Sequence, residues 1–366
     1  MKFVYRQAVL VFFALMFVDS TSAQYIQKNL VANRHGYKEG HLDPNLVNGW
    51  GLARFPASPF WVSDNFTGVS TLYDDKGDII PLVVTIPPAP SMPFGPVGTP
   101  TGMVANPTLD FVISKGGKSG PALFIFATLD GTISGWNPNV DPTNAIIMVD
   151  NSLKTPPAIY TGLAIGRNSS GHNVLYAADA GPNNRIDMID GGWNSIGSFT
   201  DSTGYVPSGL TVYAVQNVNG KLYVTFASIN PLQGGAVDVF DTDGNLVTHF
   251  TKNTPAGPLQ SPWGITLAPA DFGTFSNALL IGNVDDGKIN AFDPGTHHFL
   301  GQLADPAGKT IEIAGLWGLV FGGGAPGNGQ TNQLFFSAGP NNYFDGLFGM
   351  IHATGEGASA AGNGKD

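Results

Sequence analysis

A short pattern of an aromatic residue, a glycine and an aliphatic residue recurs at long intervals along this chain. It reads GWGLARFP from Gly49, PWGITLAP from Pro262 and LWGLVFGG from Leu316. The position of the central glycine recurs along the whole sequence, at intervals of 51, 60, 52, 50 and 54 residues. The residues at this position are Gly51, Gly102, Gly162, Ala214, Gly264 and Gly318. A fixed period of this length is typical of repeat architectures, so the repeat constrains the fold more than any single motif.

A second landmark has a similar period. In five units a β-rich run ends in a hydrophobic residue followed by Asp or Asn, at intervals of 63, 53, 51 and 52 residues: Asp74, Asn137, Asp190, Asp241 and Asp293. Each unit holds short β-rich runs joined by turn residues, as in WGITLAP, ALLIGNV, KINAFD and HFLGQLAD. Four antiparallel strands repeated about every 50 residues predict a β-propeller. We predict an all-β, six-bladed β-propeller of four-stranded antiparallel blades, starting near residues 49, 100, 160, 212, 262 and 316.

The sixth unit lacks a strand at its C-terminal end. After GLFGMIHA the chain ends in TGEGASAAGNGKD, which has no strand pattern, and we predict a flexible tail over residues 354–366. A spare β-rich run, YIQKNLVA, lies at Tyr25–Ala32. We predict that this run supplies the missing outer strand and closes the ring, because closure removes an exposed sheet edge. The propeller then spans residues 24–353.

The first 23 residues have the pattern of a secretory signal peptide. Lys2 and Arg6 precede an apolar run from Ala8 to Val18, and small residues close the segment at Ala23. That run is shorter than the ~20 residues needed to span a bilayer. We therefore expect cleavage after Ala23 and a secreted protein, extracellular or periplasmic, with no membrane span. An uncleaved anchor is the alternative.

Charge and cysteine content narrow the possible partners. The chain has 17 Lys and Arg against 27 Asp and Glu; without Lys2, Arg6 and Asp19 these become 15 and 26, a net charge of −11. Such a surface repels phosphate backbones, which argues against nucleic acid as a partner. The chain has no cysteine, which excludes thiol catalysis and thiolate metal sites. We expect a monomer.

Several strings carry a family resemblance. SPWGITLAP followed by LLIGNVDDGKINAFDPGTHHFLG resembles the NHL-type propeller repeat, which is related in shape to the six-bladed SMP-30/gluconolactonase group. The strings DPNLVNGWGL, FWVSDNFTGVSTLYD, LYAADAGPNNRID and GLWGLVFG look like an uncharacterised family of secreted bacterial propellers. The likeness covers residues 25–351 and implies the fold and export. It implies no established activity.

Polar residues follow the second strand of several units or precede the first strand of the first unit. Strand order places these loops on one face, around the channel mouth, and we predict a ligand-binding set there: Asp43, Asn45, Asn48, Asp64, Asn65, Asp130, Asp179, Asn283, Asp285 and Asn341. Carboxylates from several blades are suitable ligands for Ca²⁺, which takes 6–8 oxygens. The predicted metal ligands are Asp64, Asp130, Asp179 and Asp285. The alternative is that Asp and Asn follow strands because they make tight turns.

Two functional classes remain open. The first is a secreted binding or scaffold propeller that uses one face for a glycan, a peptide or a protein. The second is a Ca²⁺-dependent hydrolase or lactonase of the SMP-30 type, and catalytic residues for it are unknown. A convergent cage of Asp and Asn side chains would favour the enzyme, whereas separately hydrogen-bonded turns would favour binding.

Overall fold

The computed structural model describes residues 24–228, 230, 233–253 and 257–354. The predicted signal peptide at 1–23 and nearly all of the predicted tail lie outside these residues. Six antiparallel sheets form a ring, and each sheet is one blade of a six-bladed β-propeller. The predicted fold class is confirmed. The only helix in the described residues is a 3₁₀ turn at Gly273–Phe275.

The blades follow one another along the chain, each starting with its inner strand. Blade 1 comprises β3 (Gly49–Ala53), β4 (Phe60–Asp64), β5 (Val69–Tyr73) and β6 (Val84–Thr85). Blade 2 comprises β7 (Pro100–Ala105), β10 (Phe124–Thr128), β11 (Thr132–Trp136) and β12 (Ile146–Asp150). A separate hairpin, β8 (Val112–Lys115) and β9 (Lys118–Pro121), is inserted between β7 and β10.

The next three blades repeat the same order without insertion of a hairpin. Blade 3 comprises β13 (Tyr160–Arg167), β14 (Asn173–Asp179), β15 (Arg185–Asp190) and β16 (Ser195–Phe199). Blade 4 comprises β17 (Thr211–Val218), β18 (Lys221–Ala227), β19 (Gly235–Phe240) and β20 (Leu246–Asn253). Blade 5 comprises β21 (Pro262–Leu267), β22 (Leu279–Asn283), β23 (Ile289–Phe292) and β24 (Phe299–Gln302).

Blade 6 is built from both ends of the chain, as predicted. Its strands are β25 (Leu316–Phe321), β26 (Leu334–Ala338), β27 (Leu347–Ala353) and β1 (Tyr25–Ala32). The outer strand β1 pairs antiparallel with β27, with Tyr25 opposite Ala353 and Ala32 opposite Leu347. The short strand β2 (His41–Leu42) then pairs parallel with the end of β1. The N-terminal strand therefore closes the ring.

The recurring glycine is explained by contact between neighbouring inner strands. A Cβ on Gly264 would lie 2.4 Å from the backbone oxygen of Trp317, and one on Gly51 would lie 2.4 Å from that of Thr101. In three blades the residue before this glycine is a tryptophan, and Trp50, Trp263 and Trp317 are buried together in one cluster. Glycine thus permits close packing of the blades, while tryptophan fills the centre.

Candidate functional site

We call the end of the ring at which every inner strand begins the top face. The turns between the second and third strands lie there, as do the connections between blades. Predicted residues occupy two different positions in those turns. Asp64, Asp179 and Asn283 each pair with the first residue of an inner strand, whereas Asp130 and Asp285 lie two residues beyond that position.

Several of these carboxylates bind the segment that leads into an inner strand. Asp130 accepts hydrogen bonds from the Thr99 hydroxyl (3.0 Å) and from a backbone N–H. Asp179 accepts from the backbone N–H of Ile159 (2.9 Å), among other donors, and Asp285 accepts from the Ser261 hydroxyl (2.8 Å). Burial raises the pKa of Asp130 and of Asp179 in spite of these hydrogen bonds. Each carboxylate ties one blade connection to its own blade.

The amides at the top face form comparable links. Asn48 donates to Asn65 (Nδ2 to Oδ1, 3.3 Å), and Asn65 donates to the backbone oxygen of Pro100. Asn283 donates to the backbone oxygen of Pro258 (2.8 Å). The Asn45 backbone N–H donates to Asp43, the start of a turn before β3. The structure therefore brings Asn48 and Asn65 together, between the first two blades.

Asp64 differs from the other buried carboxylates of this face because, within the described residues, neither of its oxygens has a hydrogen bond of standard geometry. Its side chain is 0% exposed, although Thr71 lies close enough to lower the pKa of Asp64. Burial raises the pKa of Asp64 well above its usual range, and the nearby charge of Asp43 raises it further. Asp43 itself accepts from the Tyr73 hydroxyl. Such surroundings favour the neutral form of a carboxyl over its charged form.

Replacing Asp64 by Asn is therefore expected to stabilise the protein at neutral pH by about 1–3 kcal/mol. Because burial raises the folded-state pKa of Asp64, the contribution of Asp64 to the stability of the unaltered protein depends on pH. This contribution is complete below the unfolded pKa of ~3.9 and is lost as pH rises through the folded pKa. Urea unfolding at pH 4 and pH 8 checks this. The gain from Asp64→Asn should be larger at pH 8, and a gain equal at both pH values would contradict it.

Aromatic side chains plug the channel beneath the top face. Trp50 stacks on Trp317 with ring centroids 3.7 Å apart, and Trp263 meets Trp317 edge-on at 6.0 Å. Tyr343 and Tyr213 lie 5.7 and 6.1 Å from Trp317. Burial raises the pKa of both tyrosines, and the nearby charge of Asp285 contributes. The channel mouth is therefore an aromatic floor with a carboxylate beside it.

The turn that carries Tyr343 has an uncommon backbone. Asn341, Asn342 and Tyr343 are three consecutive non-glycine residues with φ of 56°, 54° and 70°. Left-handed residues of this kind cost energy and cluster at functional sites. Asp345 anchors the turn through its ion pair with Arg34 (2.7 Å). Asn341 is exposed at its tip. The fold thus holds this turn in place over the channel.

Other concave surfaces lie away from the top face. At the opposite end, a cavity of about 240 Å³ is lined by Leu52, Met103, Leu163, Gln216 and Val320, with Arg54 at its edge. Its volume is below the ~300 Å³ typical of small-molecule pockets. A groove of about 900 Å³ follows β1 and residues 305–312 outside the ring.

The predicted calcium ligands do not form a cluster of three. In the residues that the structure describes, one group of three His, Asp or Glu side chains has ligand atoms within 4.8 Å of one another, and it contains none of Asp64, Asp130, Asp179 and Asp285. Calcium at the channel mouth stays a prediction. That group is Asp201, Asp238 and His249, which the sequence reasoning missed.

The fold and the top face define a β-propeller with a plugged channel. Comparison with known proteins gives its family. The chain is 31% identical over 336 residues to Uncharacterized protein R648 of Acanthamoeba polyphaga mimivirus, covering 88% of this chain and 78% of that protein. It is 30% identical over 335 residues to Uncharacterized protein L690 of the same virus, covering 88% and 84%. The chain belongs to the family of these two proteins.

Solved structures show the fold alone. A streptogramin B lyase structure matches 90% of this chain and 98% of its own, with a TM-score of 0.51 and 10% identity. No protein-family model matches the chain. The NHL likeness and the secreted bacterial group named above stay predictions. Among the described residues there is no helix with the length and hydrophobicity required to span a membrane.

Proposed function

We propose that the protein is a secreted, NHL-like binding propeller that uses its top face to hold apolar side chains of a protein or peptide ligand. Export rests on the predicted signal peptide at residues 1–23. The observation that carries the binding role is a set of exposed apolar side chains on the top face. Its members lie in the turns and blade connections of that face: Phe66, Met92, Phe94, Val97, Leu153 and Phe344.

Part of this set is contiguous. Phe344 is 67% exposed and Phe66 is 49% exposed, and their ring centroids lie 6.0 Å apart across blades 6 and 1. Val97 packs close to Gly68, in the same turn as Phe66. Phe344 directly follows the three left-handed residues of the anchored turn. Large exposed apolar groups that share one face are typical of interaction sites.

Three of the four predicted metal ligands support binding more than metal-assisted hydrolysis. Asp130, Asp179 and Asp285 each have separate hydrogen-bond partners, so they act as turn and connection residues. Separate partners were the pattern expected of a binding propeller. The hydrolase alternative stays a prediction, as does a glycan ligand.

The test selects ligands and then removes the patch. A peptide library displayed on phage would be panned on the full mature chain, and the Kd of selected peptides measured for Phe66→Ser/Phe344→Ser. We expect affinity to fall at least about tenfold, because each apolar anchor contributes more than about 1 kcal/mol. Leu109→Ser is the matched control, since Leu109 is 85% exposed in the connection between β7 and β8, at the opposite end.

Two results would count against the proposal. Equal loss of affinity in the Leu109→Ser control would show that exposed apolar groups act without regard to the face they occupy. Selected peptides that bind the Phe66→Ser/Phe344→Ser variant as tightly as the unaltered protein would place the ligand elsewhere. A glycan array run on the same protein distinguishes the carbohydrate alternative.

A further inference from the structure

A second group of polar side chains lies outside the channel, on blade 4. Asp238 is in β19 and His249 is in β20, where the two residues are direct cross-strand partners. Asp201 belongs to the connection between blades 3 and 4. One ligand atom from each of the three side chains lies within 4.8 Å of the others. No residue of the proposed binding face belongs to this group.

The three side chains are already oriented by the surrounding chain. His249 Nδ1 lies 2.9 Å from Asp238 Oδ1, and its Nε2 lies 3.2 Å from the Thr203 hydroxyl. The two oxygens of Asp201 accept hydrogen bonds from the backbone N–H groups of Thr203 (2.8 Å) and Val206 (3.2 Å). The contact of Nε2 with Thr203 and the two backbone contacts of Asp201 are of the kind that fix the ring and the carboxylates of metal sites.

The second carboxylate oxygen of Asp238 lacks a partner among the described residues, and this indicates that the site binds a ligand. Asp238 is 0% exposed, and in the part of the chain that the structure describes its buried Oδ2 has no hydrogen-bond partner. Leaving a buried carboxylate oxygen without a donor or a cation is costly. The nearby ammonium of Lys252 is not the hydrogen-bond partner of this oxygen. It donates to the backbone oxygen of Tyr205 (3.0 Å) and lies 4.1 Å above the Tyr205 ring.

The site is open to solvent on one side. The side chain of His249 is 28% exposed, and its ring stacks on Tyr205 with centroids 4.0 Å apart. Asp201 is half-buried. An ion therefore has a path from solvent to His249 and Asp201, with the buried carboxylate of Asp238 behind them.

We propose that Asp201, Asp238 and His249 bind one divalent transition-metal ion of the Zn²⁺ or Mn²⁺ class. One imidazole with two carboxylates suits these ions better than Ca²⁺, which takes 6–8 oxygen ligands. Ligand atoms at about 2.1 Å from a common ion lie within about 4 Å of one another, so only small side-chain shifts are needed. A bound ion would fasten the connection between blades 3 and 4 to the outer hairpin of blade 4.

The experiment measures metal binding by the full mature chain, made without a polyhistidine tag and treated with EDTA. Calorimetric titration with ZnCl₂ is expected to show one equivalent bound, and ZnCl₂ should raise the melting temperature more than CaCl₂ does. Asp238→Asn and His249→Gln are each expected to weaken Zn²⁺ binding by at least about tenfold. His298→Gln is the matched control, since His298 is exposed on blade 5, outside the cluster.

Folding of each variant is checked by the melting temperature of the metal-free protein. The visible absorption of the Co²⁺-loaded protein gives a second readout, which both cluster variants should change and His298→Gln should leave unchanged. The inference is overturned if the unaltered chain binds no Zn²⁺. It is also overturned if Asp238→Asn/His249→Gln binds with the same stoichiometry and Kd.

Discussion

Removing strand β1 is expected to lower the free energy of unfolding by at least about 4 kcal/mol, because the strand closes the ring and buries large side chains. Tyr25, Val31 and Ala32 are each 0% exposed. The Tyr25 hydroxyl also donates to the backbone oxygen of Phe272 (2.9 Å) and accepts from the backbone N–H of Phe275, which connects blade 6 to blade 5. Urea unfolding of a chain beginning at Asn33, compared with one beginning at Gln24, measures the effect.

The comparison has a milder companion variant, in case the shortened chain does not fold. Tyr25→Phe keeps the ring and the strand but removes the hydroxyl that contacts Phe272 and Phe275, so it should cost about 1–3 kcal/mol. The closure argument would be wrong if the chains beginning at Asn33 and Gln24 unfolded at the same urea concentration. If Tyr25→Phe had no effect on the free energy of unfolding, the hydroxyl contacts between blades 6 and 5 would not contribute to stability.

The number of blades and the closing strand were predictable because both depend on repeated local patterns. The uneven spacing also has a structural cause. The interval from Gly102 to Gly162 is 60 residues, against 50–54 elsewhere, and the inserted hairpin Val112–Lys115 and Lys118–Pro121 lies inside it. The sequence spacing showed the excess length but not its shape, since the hairpin lies outside the four-strand repeat.

The environment of each carboxylate was not predictable from strand order. Strand order places Asp64, Asp130 and Asp179 at one end of the ring but does not give their register. Asp64 and Asp179 occupy the same position relative to their inner strands, yet in the described residues Asp179 has three hydrogen-bond donors and Asp64 has none of standard geometry. The difference arises from the loops that pass each side chain, which vary between blades.

The blade 4 cluster shows a second limit of sequence reasoning. Sequence reasoning named no histidine as a metal ligand, and the structure places His249 beside Asp238 and Asp201. The first contact crosses a hairpin whose register shifts twice between β19 and β20. The Asp-Gly turn between Asp238 and His249 was a usable signal for the hairpin, although not for its shifted register. The contact with Asp201 depends on the path of a long connection.

Replacing Trp317 by Ala is expected to lower the free energy of unfolding by about 3–5 kcal/mol, the range for large-to-small changes of buried aromatic residues. Trp317 is 2% exposed and lies at the centre of the channel, between Trp50 and Trp263. Its indole N–H donates to Asn48 Oδ1 (2.9 Å), which connects blade 6 to the start of blade 1. The midpoint of urea unfolding measures the loss.

A pair of phenylalanine variants separates packing from hydrogen bonding in the same stack. Trp317→Phe leaves Asn48 Oδ1 without its donor in a buried position, at a cost of about 1–3 kcal/mol beyond the lost packing. The indole N–H of Trp50 is buried and has no acceptor among the described residues, so Trp50→Phe removes an unpaired donor. Trp50→Phe should therefore be the milder variant. Equal losses in the two would mean that the bond to Asn48 adds nothing to the packing, and that the three tryptophans stabilise the ring only by filling its centre.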